Sequence, residues 1–241
     1  MLTSLCVYLG NRLAGHLTRT GSSLSFQYDG EHLQSDQPLP LSRHLPLQPS
    51  PFGNEATQAF FANLLPEGGI LLQVARQLGL SPHNTFGLLE ALGGDCAGAL
   101  SLLPEGLSPT ASGCYRSLSD VELATELANL PAHPFLAGDE GIRLSLAGAQ
   151  NKLPVYWDQS GYAIPEGNHP STHILKTAIP HLQNTVANEA FCMNLAAQAG
   201  LLVPNAQIAV IGTQQVYRVE RFDRKRTPDG GVLRLHQEDF C

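Results

Sequence analysis

Charge is scarce in this chain. Asp, Glu, Lys and Arg together make up 15% of its 241 residues, against about a quarter in an average globular domain. Lysine is scarcest: only Lys152, Lys176 and Lys225 occur. Positive charge is in deficit, with 14 Lys and Arg against 21 Asp and Glu for a net −7, which argues against a free-standing nucleic-acid binder with a basic face. The deficit is uneven: residues 1–140 carry net −8 and residues 141–241 net +1, so the second part is the better place for an anionic ligand. The five cysteines are odd in number and lack C-x-x-C spacing, which favours reduced thiols over a disulfide framework or zinc site. No apolar run approaches the roughly 18–20 residues of a membrane span. The start, MLTSLCVYLGNRLAGH, has no basic segment ahead of an apolar one. A soluble cytoplasmic protein is expected, with no membrane partner. The nine histidines show no metal-ligand spacing beyond His169 and His173, and no metal site is expected.

Hydrophobic residues make up 43%, enough to bury a core in one large or two modest domains. With 23 Gly and 17 Pro the chain should be rich in turns, but no segment is biased enough to be disordered. Residues 4–9 and 13–17 flank Gly10-Asn11-Arg12 and read as a hairpin. The alternation of Leu24, Phe26 and Tyr28 suggests a third strand. The proline-rich stretch 37–53 excludes a regular helix, and its leucines suggest an ordered, packed segment. Helices are expected at 54–65 with Asn54 as cap, at 69–79 closed by Gly79, and from Ser81-Pro82 to Leu92. A strand at 97–104 and a helix at 121–130 capped by Ser119-Asp120 follow. Pro131 and Pro134 mark a junction, giving expected parts 1–131 and 132–241.

In the second part Ile142, Leu144 and Leu146 alternate with Arg143 and Ser145, which predicts a half-buried strand. Ala147-Gly148-Ala149 reads as a turn, and residues 152–157 as the returning strand. Further strands are expected at 172–179, 206–212 and 215–222, with a helix at 185–199 ended by Gly200. The predicted architecture is α+β, its second part a five-stranded sheet with one helix.

Three features carry chemistry. The 147–149 loop lacks bulky side chains, so its backbone N–H groups can approach phosphates; an ordinary tight hairpin is the alternative. Lys176 lies in a strand between apolar neighbours and must either reach solvent or meet an anion. Glu189 shares a helical stripe with Val186, Cys192, Met193 and Ala196, and a carboxylate there needs a partner. Lys176 precedes it by 13 residues. A strand lysine oriented by the next helix's glutamate, beside a small-residue loop, is the phosphate-gripping arrangement of kinases. Residues 219–223 would then be the hinge, read through backbone groups. Arg221, Arg224, Lys225 and Arg226 otherwise read as a solvated basic loop.

The segments RLSLAGAQNK, THILK, NEAFC, VERFDR and LRLHQEDFC, with NLLPEG, FGLLEALGGDCAGAL and PLSRHLPL earlier, resemble the HipA family of toxin kinases along the whole chain. The resemblance implies an N-terminal HipA subdomain followed by a kinase N-lobe. It also implies an ATP- and Mg²⁺-dependent serine/threonine protein kinase, the toxin of a toxin–antitoxin pair. By this match Ala147, Gly148, Ala149 and Gln150 form the phosphate loop, Lys176 and Glu189 the nucleotide pair, Glu220, Phe222 and Asp223 the hinge, and Ser145 the regulatory phosphorylated serine. The implied partner is a HipB-like helix-turn-helix antitoxin, through which DNA would be reached, and the substrate class an aminoacyl-tRNA synthetase. Residues 1–241 contain no H-R-D-like loop and no D-F-G, so no catalytic residue is assigned. The chain is expected to be an inactive, truncated form that binds ATP weakly by itself. The alternative is a non-catalytic module that pairs with a separately encoded kinase C-lobe or with an antitoxin.

Overall fold

The computed structural model describes residues 3–109 and 114–238. The first sheet is antiparallel, built from β1 (Ser4–Leu9), β2 (Arg12–Thr20), β3 (Ser23–Tyr28) and β4 (Leu100–Pro104), in the order β3-β2-β1-β4. The β1–β2 turn runs through Gly10 at φ 61°, a conformation glycine adopts without strain. After a single helical turn, α1 (Gly30–Leu33), the proline-rich stretch packs as expected. Leu41 and Leu45 are buried, and Phe52 bridges to Phe26. Three helices, α2 (Asn54–Ala62), α3 (Gly68–Gln77) and α4 (Thr85–Leu92), connect β3 to β4.

Two expected caps move. The cap of α2 is Gly53, because the Asn54 side chain instead accepts from the Leu24 backbone N–H at 2.7 Å. The third helix starts at Thr85 rather than at Pro82. Ser81 closes a turn on His83 and Asn84, and Asn84 then caps the helix by accepting from Gly87 N–H. Asn54 is taken by a strand 30 residues away, whereas Ser81 and Asn84 compete locally for the same turn.

The second sheet contains β5 (Tyr115–Leu118), β6 (Lys152–Trp157), β7 (Tyr162–Pro165), β8 (His173–Lys176), β9 (Ala206–Ile211) and β10 (Gln214–Glu220). Their order is β5-β7-β6-β8-β10-β9. It therefore has six strands, and the strand expected at 142–146 is not among them. Ile142, Leu144, Ser145 and Leu146 are all buried, so the alternation of apolar residues did not mark one wet and one dry face. The segment lies in the seam between the sheets. There Leu144 makes a single bridge to Asp95, and Arg143 donates to the Glu90 and Leu102 carbonyls at 2.8 Å each. Strand β5 and α5 (Asp120–Asn129) precede residue 131 yet attach to this second sheet. Ser119 and Glu122 form a reciprocal capping box at the start of α5. One hydrophobic cluster runs through both parts, from Leu5 and Phe26 to Leu153, Leu175 and Val216.

Helix α6 (Thr185–Gln198) follows β8 and buries only Val186, with Tyr217 and Val219 beneath it. Phe191 and Leu195 are exposed, as are Leu201 and Leu202 just beyond the helix. A small hairpin, β11 (Arg224–Arg226) and β12 (Val232–Arg234), closes the described chain. Among the described residues no helix is long and apolar enough to cross a membrane.

The seam is tied by ions. The Asp95 carboxylate is 1% exposed and meets Arg221 at 3.1 Å, Arg224 at 2.8 Å and Arg234 at 3.1 Å. The Ser171 hydroxyl donates to it at 2.6 Å. Asp223 joins Arg221 at 2.7 Å and Arg224 at 3.0 Å, and accepts from the Gly98 N–H at 2.7 Å. Arg221 and Arg224 are thus not a solvated basic loop, although Lys225 and Arg226 are exposed. Burial pushes the Asp95 carboxyl up, but Arg224, Arg221, Arg234 and the Ser171 hydroxyl outweigh it and hold it well below the usual carboxylate range.

Breaking a buried ion pair by removing one partner costs about 3–5 kcal/mol. Asp95→Ala should lose that much in urea denaturation, and a loss under about 1 kcal/mol would remove the network from its structural role. Because the folded carboxyl is held low, its contribution is complete above the unfolded value of about 4 and is lost as pH falls below it. Wild-type stability should therefore decline in acid more steeply than that of Asp95→Asn.

Candidate functional site

Loop 147–150 leaves the seam and enters β6 with the carbonyls of Ala147 and Gly148 turned toward the protein. The Lys152 ammonium donates to the Ala147 carbonyl, and the Glu67 N–H donates to the Gly148 carbonyl at 3.3 Å. The Gln150 amide donates to the Thr177 carbonyl at 2.9 Å. Among the described residues, the N–H groups of Ala147, Gly148, Ala149 and Gln150 find no acceptor. Gly148 sits at φ 103°, and a Cβ there would lie 2.7 Å from the Lys152 nitrogen, so only glycine fits. A row of unpaired amides on a small-residue loop can receive an anion's oxygens.

Lys176 ends β8, and its ammonium meets the Glu189 carboxylate on the first turns of α6. It also lies 5.7 Å from the centroid of the Tyr217 ring. Both side chains of the pair are about a quarter exposed, so the contact orients the lysine more than it stabilises the fold. Of the stripe expected around Glu189, Val186 is buried while Cys192 is exposed.

Lys152 was not singled out by sequence. It stands directly opposite Lys176 in the antiparallel β6–β8 pairing. Burial first, and then Lys176, lower its pKa to about 8, against the opposing effects of Glu67 and Glu189. Being one of three lysines in a lysine-poor chain was the available signal. Its partner depends on strand register, which composition does not report.

The expected hinge, residues 219–223, begins at the end of β10, where Tyr217 pairs with Lys176 and Glu220 with His173. Glu220 is thus three strand residues from the lysine row, about 10 Å. The Glu220 N–H is taken by the Asn205 carbonyl at 2.8 Å and the Arg221 N–H by the Thr172 carbonyl at 2.9 Å. Phe222 is exposed, and among the described residues its N–H has no acceptor. Asp223 faces inward; its carboxylate is committed to Arg221, Arg224 and Gly98, so it supports this segment from behind. Ser145 is fully buried, and its hydroxyl donates to the Leu64 carbonyl at 2.6 Å. In this conformation no modifying enzyme reaches it. His169 and His173 pack against Tyr115 and Trp157 with ring centroids 5.0 Å apart in each pair. Burial, then Arg218 and Arg226, take His173 down to about 4.

Comparison with known proteins meets this geometry. A family model described as the HipA N-terminal domain matches residues 5–103, and one described as the HipA-like C-terminal domain matches residues 144–241. The serine/threonine-protein kinase toxin HipA of Shewanella oneidensis is 35% identical over 99% of this chain. The chain belongs to the HipA family. Y4mE of Sinorhizobium fredii is 42% identical over 98% of the chain. The chain spans 58% of Y4mE and 54% of the Shewanella protein. The solved structure of Shewanella oneidensis HipA with HipB and its operator DNA matches 96% of this HipA-family chain at a TM-score of 0.78 and 34% identity. The match covers 54% of that chain.

Replacing Ser145 with Ala should cost about 1–3 kcal/mol, because the Leu64 carbonyl is left unpaired. Ser145→Asp should cost more, since it buries a carboxylate against that carbonyl. Thermal denaturation distinguishes the two; equal melting points would mean the loop leaves its seat freely.

Proposed function

We propose that residues 1–241 form the nucleotide-gripping part of a HipA-type serine/threonine protein kinase of a toxin–antitoxin system. The observation that carries this reading is the Lys176–Glu189 pair beside four loop amides that find no acceptor among the described residues. In this reading the amides of 147–150 take ATP phosphate oxygens, and Lys176, held by Glu189, adds a fixed positive charge. The backbone at Glu220 and Phe222 meets the adenine edge. Asp223 acts on that edge through the Arg221 network rather than by touching nucleotide. Ser145 would be phosphorylated only after segment 142–147 leaves the seam.

Mg²⁺ fits these residues poorly. Among the described residues no group of three or more His, Cys, Asp or Glu side chains could hold it. Its ligands, and the base that accepts the substrate proton, would come from ATP and from outside residues 1–241. The Shewanella complex supports a HipB-like antitoxin as partner, with DNA reached through it. An aminoacyl-tRNA synthetase is the proposed substrate class. A second reading, a non-catalytic module that binds a separate kinase part, draws on the exposed Phe191, Leu195, Leu201 and Leu202.

ATP binding by these residues alone should be weak. Millimolar ATP is expected to shift the amide resonances of Gly148, Ala149, Gln150 and Phe222. Lys176→Met should weaken that binding about tenfold or more, the worth of one charged hydrogen bond. Unmoved loop resonances would overturn the nucleotide reading. Labelled phosphate transfer to protein by residues 1–241 would overturn the need for outside groups.

A further inference from the structure

Two lysines directly opposite one another on neighbouring strands repel, and Lys152 and Lys176 are so placed. Lys176 has Glu189. Among the described residues Lys152 makes no ion pair, and its one hydrogen-bond partner is the Ala147 carbonyl. The ammonium also lies against Gly148, where a side chain would displace it. An ammonium has three donors, so two remain after the Ala147 bond. The charged groups that face it are Lys176 from β8, Glu67 at the start of α3 and Glu189 from α6.

We propose that Lys152 is the positioning residue of the phosphate loop. Its ammonium holds the Ala147 carbonyl inward so that the loop amides face the site, and its remaining donors supply the second cation for a bound polyphosphate. The proposal rests on the nucleotide reading only in its second half. The geometry of the first half stands with no ligand present. An anion between two opposed lysines relieves their repulsion, which explains how a like-charged cross-strand pair is tolerated in a chain with three lysines. Burial and Lys176 leave Lys152 titrating near 8, so its charge, unlike that of an arginine, is lost in mildly basic solution. A group that binds anions only when protonated gives an affinity that falls as pH rises through that value.

Two measurements on residues 1–241 test this. In the first, backbone ¹⁵N relaxation of Gly148 and Ala149 is recorded without ligand. Lys152→Met should lower their order parameters from a rigid value of about 0.85 to below about 0.6, and Lys152→Arg should restore them. Unchanged order parameters in Lys152→Met overturn the positioning role. In the second, ATP affinity is followed by loop resonance shifts between pH 7.5 and 9.5, where the ATP phosphates are already ionised. Wild-type affinity should fall about tenfold while Lys152→Arg stays within about twofold. Parallel profiles overturn the second-cation role. If wild type binds no ATP at any pH, the nucleotide reading and the second-cation role fail together, and the relaxation data still decide whether Lys152 positions the loop.

Discussion

The buried carboxylate of Asp95 joins what the chain separates. It lies in the turn between α4 and β4, and its three arginine partners come from the segment that follows β10, more than 120 residues later. Two carboxylates and three guanidiniums out of water would be prohibitive unpaired. Here further donors go to the carbonyls of Cys96, Gly98 and Asn168, and of this cluster only the Arg224 Nε is left buried without a partner among the described residues. The first sheet, the seam segment 142–146 and residues 221–224 are thereby fixed to one point. Asp95 also exchanges backbone hydrogen bonds with Arg143 and Ser145, so the same residue seats the stretch that leads into loop 147–150.

From that anchor the site follows as a matter of direction. A loop of small residues can turn either its carbonyls or its amides outward. Lys152 and Glu67 draw two carbonyls inward, which leaves the amides for a ligand. Strand β8 then brings Lys176 beside Lys152, and β10 carries the chain from the lysine row to the hinge. Asp223, expected to face the nucleotide, faces the anchor, and this ties the chain after β10 to the seam.

Much of the fold was legible. The strands at 4–9, 152–157 and 206–211, the packed proline-rich stretch and the helix after Lys176 all follow from local periodicity and turn residues. The pairing of Lys176 with Glu189 was legible too, because a carboxylate and an ammonium on adjacent elements each needed a partner. The failures share a cause. Residues 142–146 alternate as a strand should, yet both faces are buried, and alternation cannot distinguish an edge strand from chain caught between two sheets. Asn54 and Ser81 have capping side chains whose bonds went to other donors.

Sequence by itself determined the family, the α+β class and which residues carry charge into an otherwise apolar neighbourhood, because these depend on residue type and short-range spacing. Tertiary structure alone decided that Asp95 collects three arginines, that Lys152 faces Lys176, and that Ser145 is shut in against Leu64. Those partners lie from 24 to 139 residues apart. Their meeting depends on strand register and on how two sheets close over one core, which no local pattern encodes.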